Sequence, residues 1–85
     1  MENKLTEYRK EIDEIDAELI KLFEGRMAVS EKIGQYKKDN GLPVLDKKRE
    51  EEKLEAIVSS VGEEMKPYIK ELFSTIFSLS RDKQK

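Results

Sequence analysis

Polar side chains interrupt the sequence's own apolar pattern at three places. The first is Arg26, which occupies a core-facing position in the series Leu5, Tyr8, Ile12, Ile15, Leu19, Leu22, Val29, Ile33 and Tyr36, spaced by alternating threes and fours. Lys37 lies eleven residues beyond Arg26, about three helical turns, and so projects from nearly the same side. The second is Glu50, which extends the stripe Leu54, Ile57, Val58 and Val61 backward by one turn, with Arg49 beside it. The third is the pair Ser80 and Gln84, which continue the stripe Ile69, Phe73 and Ile76. A buried cation without a counter-charge is costly. A chain that sets a guanidinium into its core seam is therefore expected to hold an anion against it.

Each residue also has a plainer reading. Arg49 and Lys37 read equally as solvated charges in a chain that is 42% charged, where most such residues have no specific partner. Glu50 reads as a first-turn acid favoured by the helix dipole, and Ser80 and Gln84 as fraying helix-end residues. Taken singly, only Arg26 escapes the plainer reading. Taken together, independent surface residues would not all fall on the inward register.

These residues need long helices to carry them. The pattern predicts three: Leu5 to Asp39, Lys47 to Ser60, and a third whose first turn holds Pro67. Asn3 and Thr6 are the candidate caps of the first helix, and Gly41 suits a left-handed residue just past its end. Asp46 is a good N-cap for the second helix, and Gly62 follows its end. Gly25 and Gly34 lie inside the first helix at about 1 kcal/mol each relative to alanine, so close approach of another helix is the expected compensation, with simple tolerance as the alternative for both and above all for Gly25. Such a first helix is about 50 Å long at about 1.5 Å per residue. A compact domain of this size would span only about 30 Å, from a radius of gyration near 12 Å. The overhanging apolar stripe calls for a second copy of the chain, and a homodimer is expected.

Arg9 flanks the same stripe seventeen residues before Arg26, about 25 Å along the axis and too far to share one small ligand within one chain. Antiparallel pairing of two long helices would bring Arg9 of one copy toward Arg26 of the other. Each site would then be composite.

Composition narrows the chemistry further. Eighty-five residues, 36% of them hydrophobic, support a single domain over 1–85 with one narrow core. The chain has no cysteine and no histidine, which removes disulfides, thiolate metal sites and the commonest general base, so no metal or cofactor is expected. A net charge of −2, with acids and bases interleaved along the helices, argues against nucleic-acid binding. There is no signal-like or membrane-spanning apolar run, and a cytoplasmic location is the default.

The residues also carry a resemblance. The run Arg9-Lys10-Glu11-Ile12-Asp13-Glu14-Ile15-Asp16, then Leu22-Phe23-Glu24-Gly25-Arg26, Ile33-Gly34-Gln35-Tyr36-Lys37 and Pro43-Val44-Leu45-Asp46-Lys47-Lys48-Arg49-Glu50, resembles the all-helical (AroQ-type) chorismate mutases. The last helix, from Tyr68 through Leu72-Phe73 to Ser80 and Gln84, is similar to that family's last helix. Residue type and spacing agree across all three helices, from about Leu5 to Gln84.

The resemblance implies an all-α fold of one long and two shorter helices, forming an intertwined homodimer that converts chorismate to prephenate on the way to phenylalanine and tyrosine. It implies that Arg26, with Arg9 of the other subunit, holds the two substrate carboxylates. Lys37 would contact a carboxylate and the ether oxygen, and Gln84 would be that oxygen's second donor. Glu50 and the backbone near Asp46 would receive the substrate hydroxyl, with Arg49 and Ser80 completing the polar lining.

That chemistry suits the side chains available. An intramolecular Claisen-type rearrangement needs no nucleophile, metal or proton transfer. It needs a flexible dianion held in a reactive conformer and donors aimed at the ether oxygen as the C–O bond breaks. Two other functions stay open. One is an isochorismate pyruvate lyase on the same scaffold, using a similar cation set. The other is a helical dimerisation module without catalysis, in which the inward polar residues are incidental.

Overall fold

The structure, a computed structural model, describes residues 2–85. It contains three helices, α1 (Glu2–Asp39), α2 (Lys47–Ser59) and α3 (Lys66–Gln84), and no strand among the described residues. The expected boundaries hold to within a residue or two at most ends, while the start of α1 differs. The helix already includes Asn3 and Thr6, so neither is its cap. Both are only mild helix destabilisers, and a run rich in Glu, Lys, Leu and Arg carries them.

Two helix ends are built as their residues require. Gly41 has φ +65°, and the turn after α1 closes with two crossed backbone bonds. Leu42 N–H donates to the Lys37 carbonyl at 2.8 Å, and Gly41 N–H to the Lys38 carbonyl at 3.4 Å. This is the Schellman arrangement, which satisfies carbonyls the helix would otherwise orphan. Asp46 caps α2, its carboxylate accepting from the Arg49 backbone N–H at 3.1 Å. Pro67 sits in the first turn of α3, where its missing N–H costs nothing.

α3 packs against both α1 and α2, whereas α2 does not pack directly on α1. α3 is therefore the element that joins the other two. Within the contact with α1, Gly34 is buried beneath the backbone of Gln84, too near to leave room for a Cβ. The second interior glycine, Gly25, has open space where a Cβ would stand. Close approach thus explains Gly34 and leaves Gly25 without a packing reason.

The chain encloses little by itself. Its extents are 60 × 27 × 15 Å and its radius of gyration is 16.6 Å, against about 12 Å for a compact domain of this length. Phe77 is the buried apolar side chain among the described residues, accompanied by the buried hydroxyls of Ser30 and Ser80. Every side chain from Asn3 to Leu22 is exposed. Leu5, Tyr8, Ile12, Ile15 and Leu19 each keep more than half of their surface in solvent. Burying one such side chain fully is worth about 1.5–3 kcal/mol, so the uncovered stripe is a large unspent driving force for association.

Candidate active site

The C-terminal half of α1, the start of α2 and the end of α3 enclose a cavity of about 610 Å³. Of the polar residues singled out by their register, Arg26 and Lys37 line it from α1, Arg49 and Glu50 from the start of α2, and Ser80 and Gln84 from α3; Asp46, expected there from the resemblance alone, lines it as well. Arg9 does not line it. It lies on the exposed N-terminal half of α1, about 25 Å along the axis from Arg26.

Lys37 is held from two sides. Its Nζ donates to the Val44 carbonyl at 2.8 Å and to Gln84 Oε1 at 3.0 Å. The first contact follows from the turn after Gly41, which folds the chain back so that Val44 faces the helix it has just left. The second requires α3 to remain helical through Gln84 and to lie against Gly34. The end of α3, which its composition marks as weakly held, is helical through Gln84. Packing on a glycine and one charge-assisted hydrogen bond hold it in place. With its carbonyl end turned to the ammonium, the Gln84 amide keeps its NH₂ without a protein acceptor among the described residues.

Arg26 has no carboxylate partner among the described residues. Its guanidinium lies over the Phe77 ring, 5.5 Å from the centroid, a cation–π contact that supports the charge without neutralising it. Phe77 is in turn braced edge-on by Phe73, with centroids 6.1 Å apart. Arg26 thus presents an unneutralised cation on an aromatic platform, as its place in the apolar seam required.

Glu50 is not free in the same sense, because its carboxylate pairs with the Arg81 guanidinium of α3. Arg81 was not legible as a site residue, since it stands one position outside the inward stripe. Two further residues line the cavity unannounced. Ser30 is buried, and its hydroxyl meets that of Ser80 at 2.5 Å, a bond that joins α1 to α3. Its signal was its spacing, because residues 26, 30, 33, 34 and 37 lie on one helix face. Lys53 lines the α2 wall one turn beyond Arg49. Val29, Ile33, Val44 and Phe77 supply the apolar remainder.

Within the cavity wall, four cations (Arg26, Lys37, Arg49 and Lys53) stand against two carboxylates, Asp46 and Glu50. Both carboxylates are engaged, one as a helix cap and the other with Arg81. What remains available is positive charge over an apolar floor, suited to a small organic anion carrying more than one negative group. No cluster of described residues could hold a metal ion. No described helix is long and apolar enough to cross a membrane.

Comparison with known proteins places this architecture. The family description chorismate mutase type II matches residues 8–85, and the chain belongs to that family. Over 50 residues, 59% of this chain and 50% of the relative, it is 40% identical to a chorismate mutase of Methanocaldococcus jannaschii. Over 55 residues, 65% of this chain and 15% of the relative, it is 40% identical to a bifunctional chorismate mutase/prephenate dehydratase of Aquifex aeolicus. The chain thus matches about half the length of the first relative and a small part of the second. Among solved structures, a conserved hypothetical protein from Pyrococcus furiosus superposes with a TM-score of 0.77 at 38% identity, covering 96% of both chains.

Proposed function

We propose that this chain is a chorismate mutase acting as an intertwined homodimer, rearranging chorismate to prephenate within aromatic amino acid biosynthesis in the cytoplasm. The observation that carries the reading is the convergence of nine polar residues, from three separate elements, on one cationic cavity. Family membership supplies the substrate.

In this reading Arg26 binds one substrate carboxylate, and Arg9 of the second subunit binds the other. Holding both ends of the dianion brings the carbons that must bond within reach, so the chain offsets the conformational entropy of a flexible substrate before the chemical step. The C–O ether bond then breaks as the new C–C bond forms, and no proton is transferred. Negative charge grows on the ether oxygen, where Lys37 offers an ammonium and Gln84 its NH₂. The hydrogen bonds of the Lys37 ammonium to Val44 and Gln84 support this reading, since a donor already fixed needs little reorganisation as that charge develops. Glu50 and the backbone at Asp46 receive the substrate hydroxyl, and Arg49 and Ser80 complete the wall.

The dimer is supported by the exposed apolar stripe from Leu5 to Leu22. Antiparallel pairing through that stripe would cover it and carry Arg9 of each copy toward the other's cavity.

The test is the ultraviolet absorbance of chorismate with purified protein, with the product identified by chromatography, beside a Lys37→Ala control. The expected result is prephenate from the parent protein and at least a ~10²–10³-fold loss in the control. Unchanged chorismate in the presence of folded dimer would overturn the reading, and pyruvate released from isochorismate would replace it with a lyase.

A further inference from the structure

The pairing of Glu50 with Arg81 is not accounted for by the reaction above. α2 carries Arg49, Glu50 and Lys53 into the cavity but does not pack directly on α1. Its position relative to Lys37 and Arg26 is set through α3. Among the described residues, the Arg81–Glu50 contact is the one side-chain hydrogen bond between α2 and α3. Both partners are about seven-tenths shielded from solvent, with side-chain exposures of 31% and 27%. Arg81 also sits between Ser80 and Gln84 on α3, so the helix that supplies Phe77, Ser80 and Gln84 to the cavity sets a further side chain, itself outside the lining, onto the acidic wall residue. The bond uses Oε1 of Glu50 and leaves Oε2 without a protein donor among the described residues.

We infer that Arg81 is a positioning residue that makes the α2 wall specific for a hydroxyl-bearing ligand. A carboxylate facing a dianion would ordinarily repel it. Paired with a guanidinium, the same carboxylate has its charge offset while its second oxygen remains an acceptor. The wall then admits an anionic substrate and selects one that presents an O–H at that point. Without Arg81, the Glu50 carboxylate is no longer held in the orientation that turns its second oxygen to the hydroxyl, and a ligand lacking that hydroxyl loses little by the change. This inference rests on the proposed mutase activity, because the hydroxyl in question is that of chorismate.

The experiment measures kcat and KM for the parent protein, Arg81→Gln, Glu50→Gln and the double variant, with chorismate and with an analogue whose ring hydroxyl is replaced by hydrogen. Arg81→Gln is expected to lower kcat/KM for chorismate about tenfold, the lower end of what losing an orienting partner costs. The double variant is expected to be no worse than Glu50→Gln alone, since Arg81 acts through Glu50. With the deoxy analogue, the loss in Arg81→Gln is expected to shrink to less than about threefold. Arg81→Lys, which can still make a single N–H to Oε1 contact, is expected to recover part of the chorismate loss.

Equal losses with both substrates, or additive losses in the double variant, would overturn the inference and assign Arg81 to the fold alone. So would parent-like activity of Arg81→Gln on chorismate. A parent protein inactive on chorismate would instead overturn the mutase reading, and the inference with it.

Discussion

Gly34→Ala tests whether the end of α3 is held where the reaction needs it. A Cβ at position 34 would stand 2.5 Å from the Gln84 Cα and 2.8 Å from its carbonyl carbon, and closer still to the carbonyl oxygen. Ordinary carbon contacts lie at about 3.5–4.0 Å, so the last turn of α3 must retreat by about 1 Å. The atoms in the way are backbone and cannot swing aside. The Lys37–Gln84 hydrogen bond, 3.0 Å in the parent protein, would then open to about 4 Å and cease to be one. A misplacement of about 1 Å can cost about 10²-fold in rate, equivalent to about 2.7 kcal/mol of barrier. Stability should change less, because overpacking of about 1–3 kcal/mol is partly offset by about 1 kcal/mol of helix propensity gained on replacing glycine. The assay is steady-state turnover of chorismate beside thermal unfolding and sedimentation. The expected result is a kcat down about 10²-fold in a folded dimer whose melting temperature falls by no more than a few degrees. Gly62→Ala serves as the control, since nothing lies within 4 Å of its added Cβ. Parent-like kcat in Gly34→Ala would refute the reasoning, because Gln84 would then not depend on the glycine beneath it.

The proposed composite site has a direct test in subunit mixing. Arg9→Ala and Lys37→Ala homodimers should each be nearly inactive, whereas random exchange between them should restore about a quarter of the parent sites, because half the dimers are hybrids with one intact site each. No recovery after verified exchange would place Arg9 outside the site. Removing the Ser30 hydroxyl leaves that of Ser80 buried without its partner, so Ser30→Ala should cost about 1–3 kcal/mol in denaturant unfolding. The Ser30→Ala/Ser80→Ala double variant should then cost clearly less than the two singles combined, and additive costs would show that the two hydroxyls do not support each other. Ile15→Glu puts a charge in the middle of the uncovered stripe. It should shift sedimentation from dimer to monomer with loss of helical circular dichroism, and a helical dimer of parent stability would locate the interface elsewhere.

Local rules made much of this protein legible. Gly41 and Asp46 announced their turn and cap because the backbone conformations they supply are ones few other residues supply as well. Arg26, Lys37, Arg49, Glu50, Ser80 and Gln84 were found because a polar group on or beside an apolar register is an exception, and exceptions point somewhere; Asp46 entered the site only through the resemblance. The start of α1 was misplaced because Asn3 and Thr6 look like caps in any sequence. Only the uninterrupted helix around them shows that the capping geometry is not used. Ser30 and Lys53 escaped notice for opposite reasons. A serine is too small to break a pattern visibly, and a lysine in a chain so rich in charge is too ordinary to suggest a cavity wall. Arg81 could not be read at all from periodicity, because its role depends on the distance between two helices that no single-helix pattern encodes. Which half of α1 would be covered was likewise hidden, since the stripe reads alike on both sides of Arg26 while α3 packs over one half.

The exposed stretch from Asn3 to Leu22 bears on the protein in dilute solution. Under the proposed pairing, a separated subunit loses the cover of its longest helix and the fifth cation of its site in the same event. Dissociation would leave no partly working form, so specific activity should fall with dilution in step with helical content. Subunit concentration would then act as an on–off control on catalysis, built from the same residues that hold the two chains together.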